Sequence, residues 1–368
     1  MKKLKIVNVV GARPNFMKIA PIIAEMKKHE GVEPYLLHTG QHYDHVMSDL
    51  FFNNLGLPEP DVYMGIGSGG HGEQTGKVMI GFEKYLRELM PDVVLVVGDV
   101  NSTIACGLVA VKMGVKLVHV EAGLRSFDRG MPEEINRILT DQISDLLFTT
   151  EEDALENLKR EGIDESKVHF TGNVMIDSLN SHLEKAKKSD VLERMEMSPG
   201  DYALVTLHRP ANVDDKEVFT GLLNALCEIS EKMPVLFPVH PRSRKQMNSF
   251  GLQDKIDAFP NLKIIEPLGY LDFMQCTANA KVVVTDSGGI QEETTVLGIP
   301  CITARDNTER PITCSLGTNV IVGRDPQKIL AEVQKVLDGT AKKGQIPPLW
   351  DGKASERIVK ILWEECTR

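Results

Sequence analysis

The chain has 368 residues, 42% of them apolar, and a formal net charge of −10. Its length exceeds one ordinary core and predicts two domains. Its acidic balance excludes general nucleic-acid binding, and no apolar run is long enough to predict a membrane span. The six cysteines are scattered with no CxxC pair and read as reduced thiols, which predicts a cytoplasmic protein. The opening Met1-Lys2-Lys3-Leu4-Lys5-Ile6 is basic but lacks an apolar h-region and a small-residue cleavage site, so it reads as the approach to a first strand.

Apolar runs at 6–10, 35–37, 93–97, 117–120 and 146–148 predict strands in the first half, and those at 203–206, 235–239, 262–265, 282–285, 300–303 and 320–322 in the second. Amphipathic segments such as 103–113, 133–144 and 216–232 separate them. Strand–helix alternation over the whole length predicts an α/β architecture with parallel sheets. The rhythm pauses at Thr171-Gly172-Asn173, a charged stretch at 184–196 follows, and Ser198-Pro199-Gly200-Asp201 restarts it. The predicted domains are therefore 1–172, with a helix at 355–368 packing back on it, and 173–354.

In open parallel sheets, ligands sit beyond the carboxyl ends of the strands, so the residues after each apolar run are the informative ones. After the first strand, Gly11-Ala12-Arg13-Pro14 places Arg13 in a turn and Lys18 about one helical turn further on, both candidate partners for an anion. Gly98-Asp99 follows the 93–97 run, where Asp99 reads equally as a helix cap. Glu121 ends an otherwise apolar strand, an expensive place for a carboxylate without a purpose. In Met131-Pro132-Glu133-Glu134-Ile135-Asn136-Arg137, Pro132 opens a helix. Its acids read on their own as solvated, dipole-favoured residues, and Glu133 and Arg137 share a face.

His208 and His240 each occupy a strand-end loop beside a proline and an arginine. The run Val282-Val283-Val284-Thr285 ends in Asp286-Ser287-Gly288-Gly289 and opens a helix carrying Glu292 and Glu293. Paired glycines and the first amides of a helix suit a phosphate or pyrophosphate, and carboxylates one turn later can accept from sugar hydroxyls. Arg310 lies in a further strand-end loop as a phosphate or carboxylate partner.

Three motifs are discounted. Gly65-Ile66-Gly67-Ser68-Gly69-Gly70 fits GxGxxG but follows Pro58, Pro60 and only a stub of strand. Asp286-Ser287-Gly288-Gly289 has the lettering of a serine protease signature, but the turn leads into a helix on an α/β sheet and anion binding explains it better. No HExxH or Cys/His cluster is present, so no metal is expected.

Taken together and in this order, these motifs resemble the non-hydrolysing UDP-N-acetylglucosamine 2-epimerase family across essentially the whole chain. The matching stretches are 11–14, 39–42 (Thr-Gly-Gln-His), Gly98-Asp99, 119–125, 132–137, 208–210, 286–293 and 308–311. The resemblance implies two Rossmann-like domains of glycosyltransferase-B type facing a central cleft that closes on substrate, usually as a homodimer, with the C-terminal domain binding UDP. It implies catalytic roles for Asp99, Glu121, Glu133 and His208. It places Arg13, Lys18, Phe273, Ser287, Gly288, Gly289, Glu293 and Arg310 against the UDP-sugar, with His240 near the diphosphate and Arg137 as a further substrate contact.

The implied reaction interconverts UDP-GlcNAc and UDP-ManNAc by eliminating and re-adding UDP through a 2-acetamidoglucal. It needs no cofactor and serves surface-polysaccharide precursors. Leu268 departs from the family pattern where many members carry a polar residue near the uracil. Asp44 and Glu73 stand where members regulated by a second UDP-sugar carry Gln and Arg, which predicts weak or absent activation of that kind.

Overall fold

Among the described residues two separate sheets, built from parallel strand pairs, carry the fold. The structure, a computed structural model, describes residues 3–41 and 59–367 apart from the side chains of Arg13 and Asp254. His42 of the Thr-Gly-Gln-His motif and Asp44 lie outside the described residues.

The first sheet contains β1 (Leu4–Val10), β2 (Val32–His38), β3 (Val62–Tyr63), β4 (Val93–Val97), β5 (Lys116–Ala122), β6 (Leu146–Thr149) and β7 (Val168–Phe170), in the order β3-β2-β1-β4-β5-β6-β7. The second contains β8 (Ala203–Thr206), β9 (Val235–Pro238), β10 (Leu262–Ile265), β11 (Val282–Thr285), β12 (Cys301–Thr303) and β13 (Asn319–Ile321), in the order β10-β9-β8-β11-β12-β13. Both follow the doubly wound pattern, in which the strand order reverses beside the first strand. The switch points fall between β1 and β4 and between β8 and β11. Central strands such as Val93–Val97 and Val282–Thr285 are buried along their whole length, as unbroken Val/Leu runs must be when helices cover both faces.

The first unit runs to Ser181 and resumes at Pro348; the second is His182–Pro347. The sequence pattern put the change at 172, but Thr171-Gly172-Asn173 is built into the first unit. Thr171 O accepts from Arg357 Nε at 2.8 Å. Gly172, at φ +82°, lies so near Leu349 O that an added Cβ would stand 2.1 Å from it. The returning segment is pinned at several points within this unit. Trp350 Nε1 donates to Thr150 O (2.9 Å), and Asp177 caps the helix Ala354–Cys366 by accepting from Ala354 N (3.1 Å) and Ser355 N (2.7 Å). Lys116 Nζ donates to Glu365 O near the other end (3.0 Å). No helix among the described residues is long and apolar enough to cross a membrane.

Candidate active site

In the first unit the strand ends around the switch point are stitched by buried polar side chains. Asn15, in the helix Arg13–Met26, accepts from Gly11 N (3.2 Å) and Ala12 N (2.9 Å) and donates to Val97 O (3.0 Å), tying the end of β1 to the end of β4. Gly11 is required for this closeness, since a Cβ there would stand 2.4 Å from Ser102 Oγ. Thr39 Oγ1 and Ser102 Oγ bond at 2.8 Å, and Gln41 Oε1 accepts from Ser102 N and Oγ at 3.0 and 2.7 Å.

Two carboxylates sit on this frame. Glu121 is only 4% exposed, and its Oε2 is salt-bridged to the buried Lys18 ammonium. Its backbone is left-handed, φ +71°, where the register of β5 against β6 shifts between Val120 and Ala122. A non-glycine residue in that region costs on the order of 1–3 kcal/mol, and such strain collects where a side chain must be aimed. Asp99 is half-buried and accepts from Arg137 Nε and a terminal nitrogen of the same guanidinium at 3.0 and 2.7 Å. Arg137 is buried in the helix Pro132–Ile143 and also pairs with Glu134 at 2.5 Å. Glu134 is buried too and holds the loop before it, accepting from Ser126 N (3.0 Å) and Phe127 N (2.9 Å). Glu133, one residue earlier, is exposed in the helix's first turn.

In the second unit the switch point is bridged by Thr206 Oγ1 and Thr285 Oγ1 at 2.6 Å. Just beyond it, His208 Nδ1 lies 2.8 Å from Asp286 Oδ1. Burial pushes the Asp286 carboxyl up, but the His208 contact and the amides of Arg209 and His208 outweigh it and hold the group below the usual carboxylate range. A carboxylate at Nδ1 fixes a hydrogen there and points Nε2 away. The His240 ring is 5.4 Å from that of His208, centroid to centroid, and its Nδ1 accepts from Arg242 N at 3.2 Å, which leaves Nε2 as its donor.

Ser287 begins the helix Gly288–Leu297 without spending its hydroxyl on a cap, and the half-exposed Gly288 and Gly289 present the helix's first amides. One turn on, Glu292 pairs with the buried Arg310 at 2.5 Å. Glu293 is pushed up to about 8, by burial first and by the Glu292 charge second. Phe273 is half-buried in the helix Tyr270–Ala278 and packs with Leu268 against the core. A cavity of about 390 Å³ lined by Pro300, Thr318, Val336 and Gly344, among others, lies elsewhere in this unit and includes none of these residues.

Of the predicted residues, Lys18 and Asp99 follow the two switch-point strands of the first unit, and His208 and Ser287 those of the second; Glu133 and Phe273 lie instead on the helices after β5 and β10. Lys18, expected at a diphosphate, sits on Glu121, and Arg310 sits on Glu292. Asp99 does not cap the following helix but pairs with Arg137. Sequence reasoning missed Asn15, Glu134 and Asp286. Asp286 after Val282–Thr285 shares the feature that marks Glu121, a carboxylate at the end of an apolar strand.

Two doubly wound sheets, with an anion-ready helix start on one and ion-paired carboxylates on the other, define the nucleotide-sugar-handling class of glycosyltransferase-B proteins. A glycosyltransferase from Rickettsia africae superposes on the whole chain at 13% identity and a TM-score of 0.59, a likeness of fold alone. The family model described as UDP-N-acetylglucosamine 2-epimerase matches residues 24–363, and the chain belongs to that family. The UDP-N-acetylglucosamine 2-epimerase of Methanocaldococcus jannaschii is 45% identical over 364 residues, covering 98% of this chain and 99% of the relative. Its solved structure with UDP-GlcNAc and UDP matches at a TM-score of 0.90 and covers 98% of this chain and 100% of that one. The UDP-2,3-diacetamido-2,3-dideoxy-D-glucuronate 2-epimerase of Pseudomonas aeruginosa is 39% identical over 363 residues, covering 98% and 99%.

Proposed function

We propose that this protein interconverts UDP-N-acetylglucosamine and UDP-N-acetylmannosamine without hydrolysing either. Two observations carry this: the first unit holds ion-paired carboxylates, the buried Glu121 with Lys18 and the half-buried Asp99 with Arg137, and the second holds a diphosphate-ready helix start. The relatives at 45% and 39% identity, all named as 2-epimerases of UDP-sugars, support the same reading.

The chemistry follows from the weak acidity of the hydrogen on carbon 2. Breaking the bond from carbon 1 to the diphosphate oxygen sends its electron pair to UDP and leaves an oxocarbenium-like centre, beside which that hydrogen becomes acidic. A carboxylate takes the proton and a glycal forms. Re-addition of UDP at carbon 1, with a proton delivered to the opposite face of carbon 2, gives the epimer. No electrons are gained or lost, so no redox cofactor is needed.

Asp99, Glu121 and Glu133 serve as the ring-side acids and bases, with Arg137 and Lys18 holding the first two in place. His208, oriented by Asp286, protonates or releases the leaving group. In the second unit Ser287, Gly288, Gly289, His240 and Arg310 hold the diphosphate, Glu293 the ribose and Phe273 the base; in the first, Arg13 is a further anion partner, Lys18 holds the Glu121 carboxylate and Arg137 that of Asp99.

We also infer a cytoplasmic homodimer that feeds surface-polysaccharide synthesis. Six free thiols support the compartment. Exposed Ile80, Met90, Val111 and Leu139, on or beside three helices that pack in series, support the dimer.

The test is a proton NMR time course with UDP-GlcNAc and no acceptor. UDP-ManNAc accumulating to equilibrium is the expected result; free N-acetylmannosamine, or no change, contradicts it. The relative acting on a diacetamido-glucuronate favours one second reading, the same reaction on a modified UDP-sugar, which the same assay with that nucleotide sugar separates.

A further inference from the structure

Next to the first unit's carboxylates in the chain lies a largely buried set of ionisable groups that the reaction above does not use. His119, on β5, is fully buried; its Nε2 is 2.9 Å from Gly98 O and its Nδ1 2.6 Å from Asp141 Oδ1. A carbonyl oxygen only accepts, so Nε2 carries a hydrogen. Burial pushes Asp141 up, but His119 and Arg125 outweigh it and hold the group below the usual carboxylate range. The ring bridges Gly98 O and the Asp141 carboxyl through its two nitrogens. The second Asp141 oxygen accepts from Gly123 N (3.0 Å) and from the Arg125 guanidinium (2.7 Å), and Glu161 grips Arg125 at 2.7 and 2.6 Å.

The contacts end on two particular backbone positions. Gly98, at φ +69°, immediately precedes Asp99. Gly123, at φ +79°, follows Glu121 by two residues, and a Cβ there would stand 2.5 Å from Ala154 O. Left-handed φ angles at 98, 121 and 123 thus flank the two carboxylates along the chain. Buried ion pairs contribute little net stability compared with apolar residues of the same volume, so geometry is the better account of their presence here.

We propose that His119 and Asp141 are positioning residues of the epimerase site: one buried histidine–carboxyl bridge ties the Gly98 turn to the Gly123 turn and thereby fixes the Asp99 carboxylate relative to that of Glu121. This rests on the roles given above to Asp99 and Glu121.

The test uses His119→Gln, whose amide still reaches Gly98 O but not Asp141, His119→Asn, which does the reverse, and Asp141→Asn. Asp177→Asn is the control, because it removes a buried carboxylate cap in the same unit far along the chain from the site. Each variant is measured for thermal unfolding, UDP affinity, kcat and KM. The three bridge variants are expected to bind UDP within about twofold of wild type, with KM near wild type and kcat lower by about 10- to 100-fold, the scale of an ångström misplacement. Asp177→Asn is expected to lower the melting temperature and leave kcat unchanged.

Folded bridge variants with kcat within twofold of wild type overturn the proposal. So does an equal kcat loss in Asp177→Asn, which reports destabilisation only. If the bridge variants fail to fold, Arg125→Lys, which loosens Asp141 while keeping a cation beside it, shows the same split at smaller size; unchanged kcat there overturns the proposal. Unchanged turnover in Asp99→Asn and Glu121→Gln is a different result and sinks the site assignment itself.

Discussion

His208 Nδ1 stands 2.8 Å from Asp286 Oδ1, and the other oxygen of that carboxylate accepts from the backbone amides of His208 and Arg209 at 2.9 Å each and from the Asn212 side chain at 3.0 Å. One buried acid therefore sets both the tautomer of the histidine and the turn that carries it. Asp286→Asn puts an NH2 group among donors. Turnover is expected to fall by about 10²- to 10⁴-fold, the range for a mis-set catalytic histidine. Steady-state kinetics checks this, and a loss of less than about tenfold assigns Asp286 to the fold alone.

Lys18 and Glu121 form a buried pair, so removing one partner strands the other. Lys18→Met is expected to cost about 3–5 kcal/mol of stability, and Lys18→Met with Glu121→Gln to recover much of it. Glu121→Gln alone lowers turnover by about 10²-fold or more while UDP affinity stays near wild type. Denaturant unfolding and kinetics on all three variants give the double-mutant cycle; additive stability losses contradict the pairing.

The grip on UDP is assigned to the start of the helix Gly288–Leu297. Ser287→Ala removes one hydroxyl and is expected to weaken UDP about 3- to 10-fold, the worth of one hydrogen bond. Gly288→Ala is expected to weaken it more, because the new Cβ would meet Glu309 Oε1 at 2.7 Å and the carboxylate must shift. Calorimetric titration with UDP measures both. Affinity unchanged in the two variants places the diphosphate elsewhere.

Glu293 carries the pH signature. Its carboxyl is pushed up to about 8 from an ordinary value of 4.5, by burial first and the Glu292 charge second. Between those values the folded protein holds a proton that the unfolded chain has released, so this group's contribution is fullest below pH 4.5 and declines as pH rises toward 8. The slope is at most about 1.4 kcal/mol per pH unit. Glu293→Gln removes that decline. Melting temperatures from pH 5 to 8 are expected to diverge in the variant's favour, and parallel profiles contradict the assignment.

The strand–helix rhythm was legible in the sequence because central parallel strands are unbroken apolar runs; Val93–Val97 and Val282–Thr285 needed nothing more. β7, three residues and half-buried, was missed, and β3, two residues long, was legible only as a stub; both lie at sheet edges where little apolar surface is demanded. The change between units was misplaced because a buried glycine turn at 172 reads like a linker until Leu349 is seen against it. At the site, the types of residue were legible and their partners were not. Asp99 meets Arg137 from 38 positions away, and Asp286 meets His208 only because β8 and β11 are neighbours. Such pairings depend on which strand end lies beside which, and Asp286 was hidden as well by its likeness to a protease motif.

The central claim is that acids of the first unit work on carbon 2 of a sugar whose nucleotide has departed. Incubation with UDP-GlcNAc in heavy water, followed by NMR of the recovered nucleotide sugars, tests it most directly. Solvent deuterium at carbon 2 of UDP-ManNAc, and of recovered UDP-GlcNAc, is the predicted result, with the label abolished in Glu121→Gln or Asp99→Asn. Epimer formed with its original hydrogen retained at carbon 2 would contradict the account.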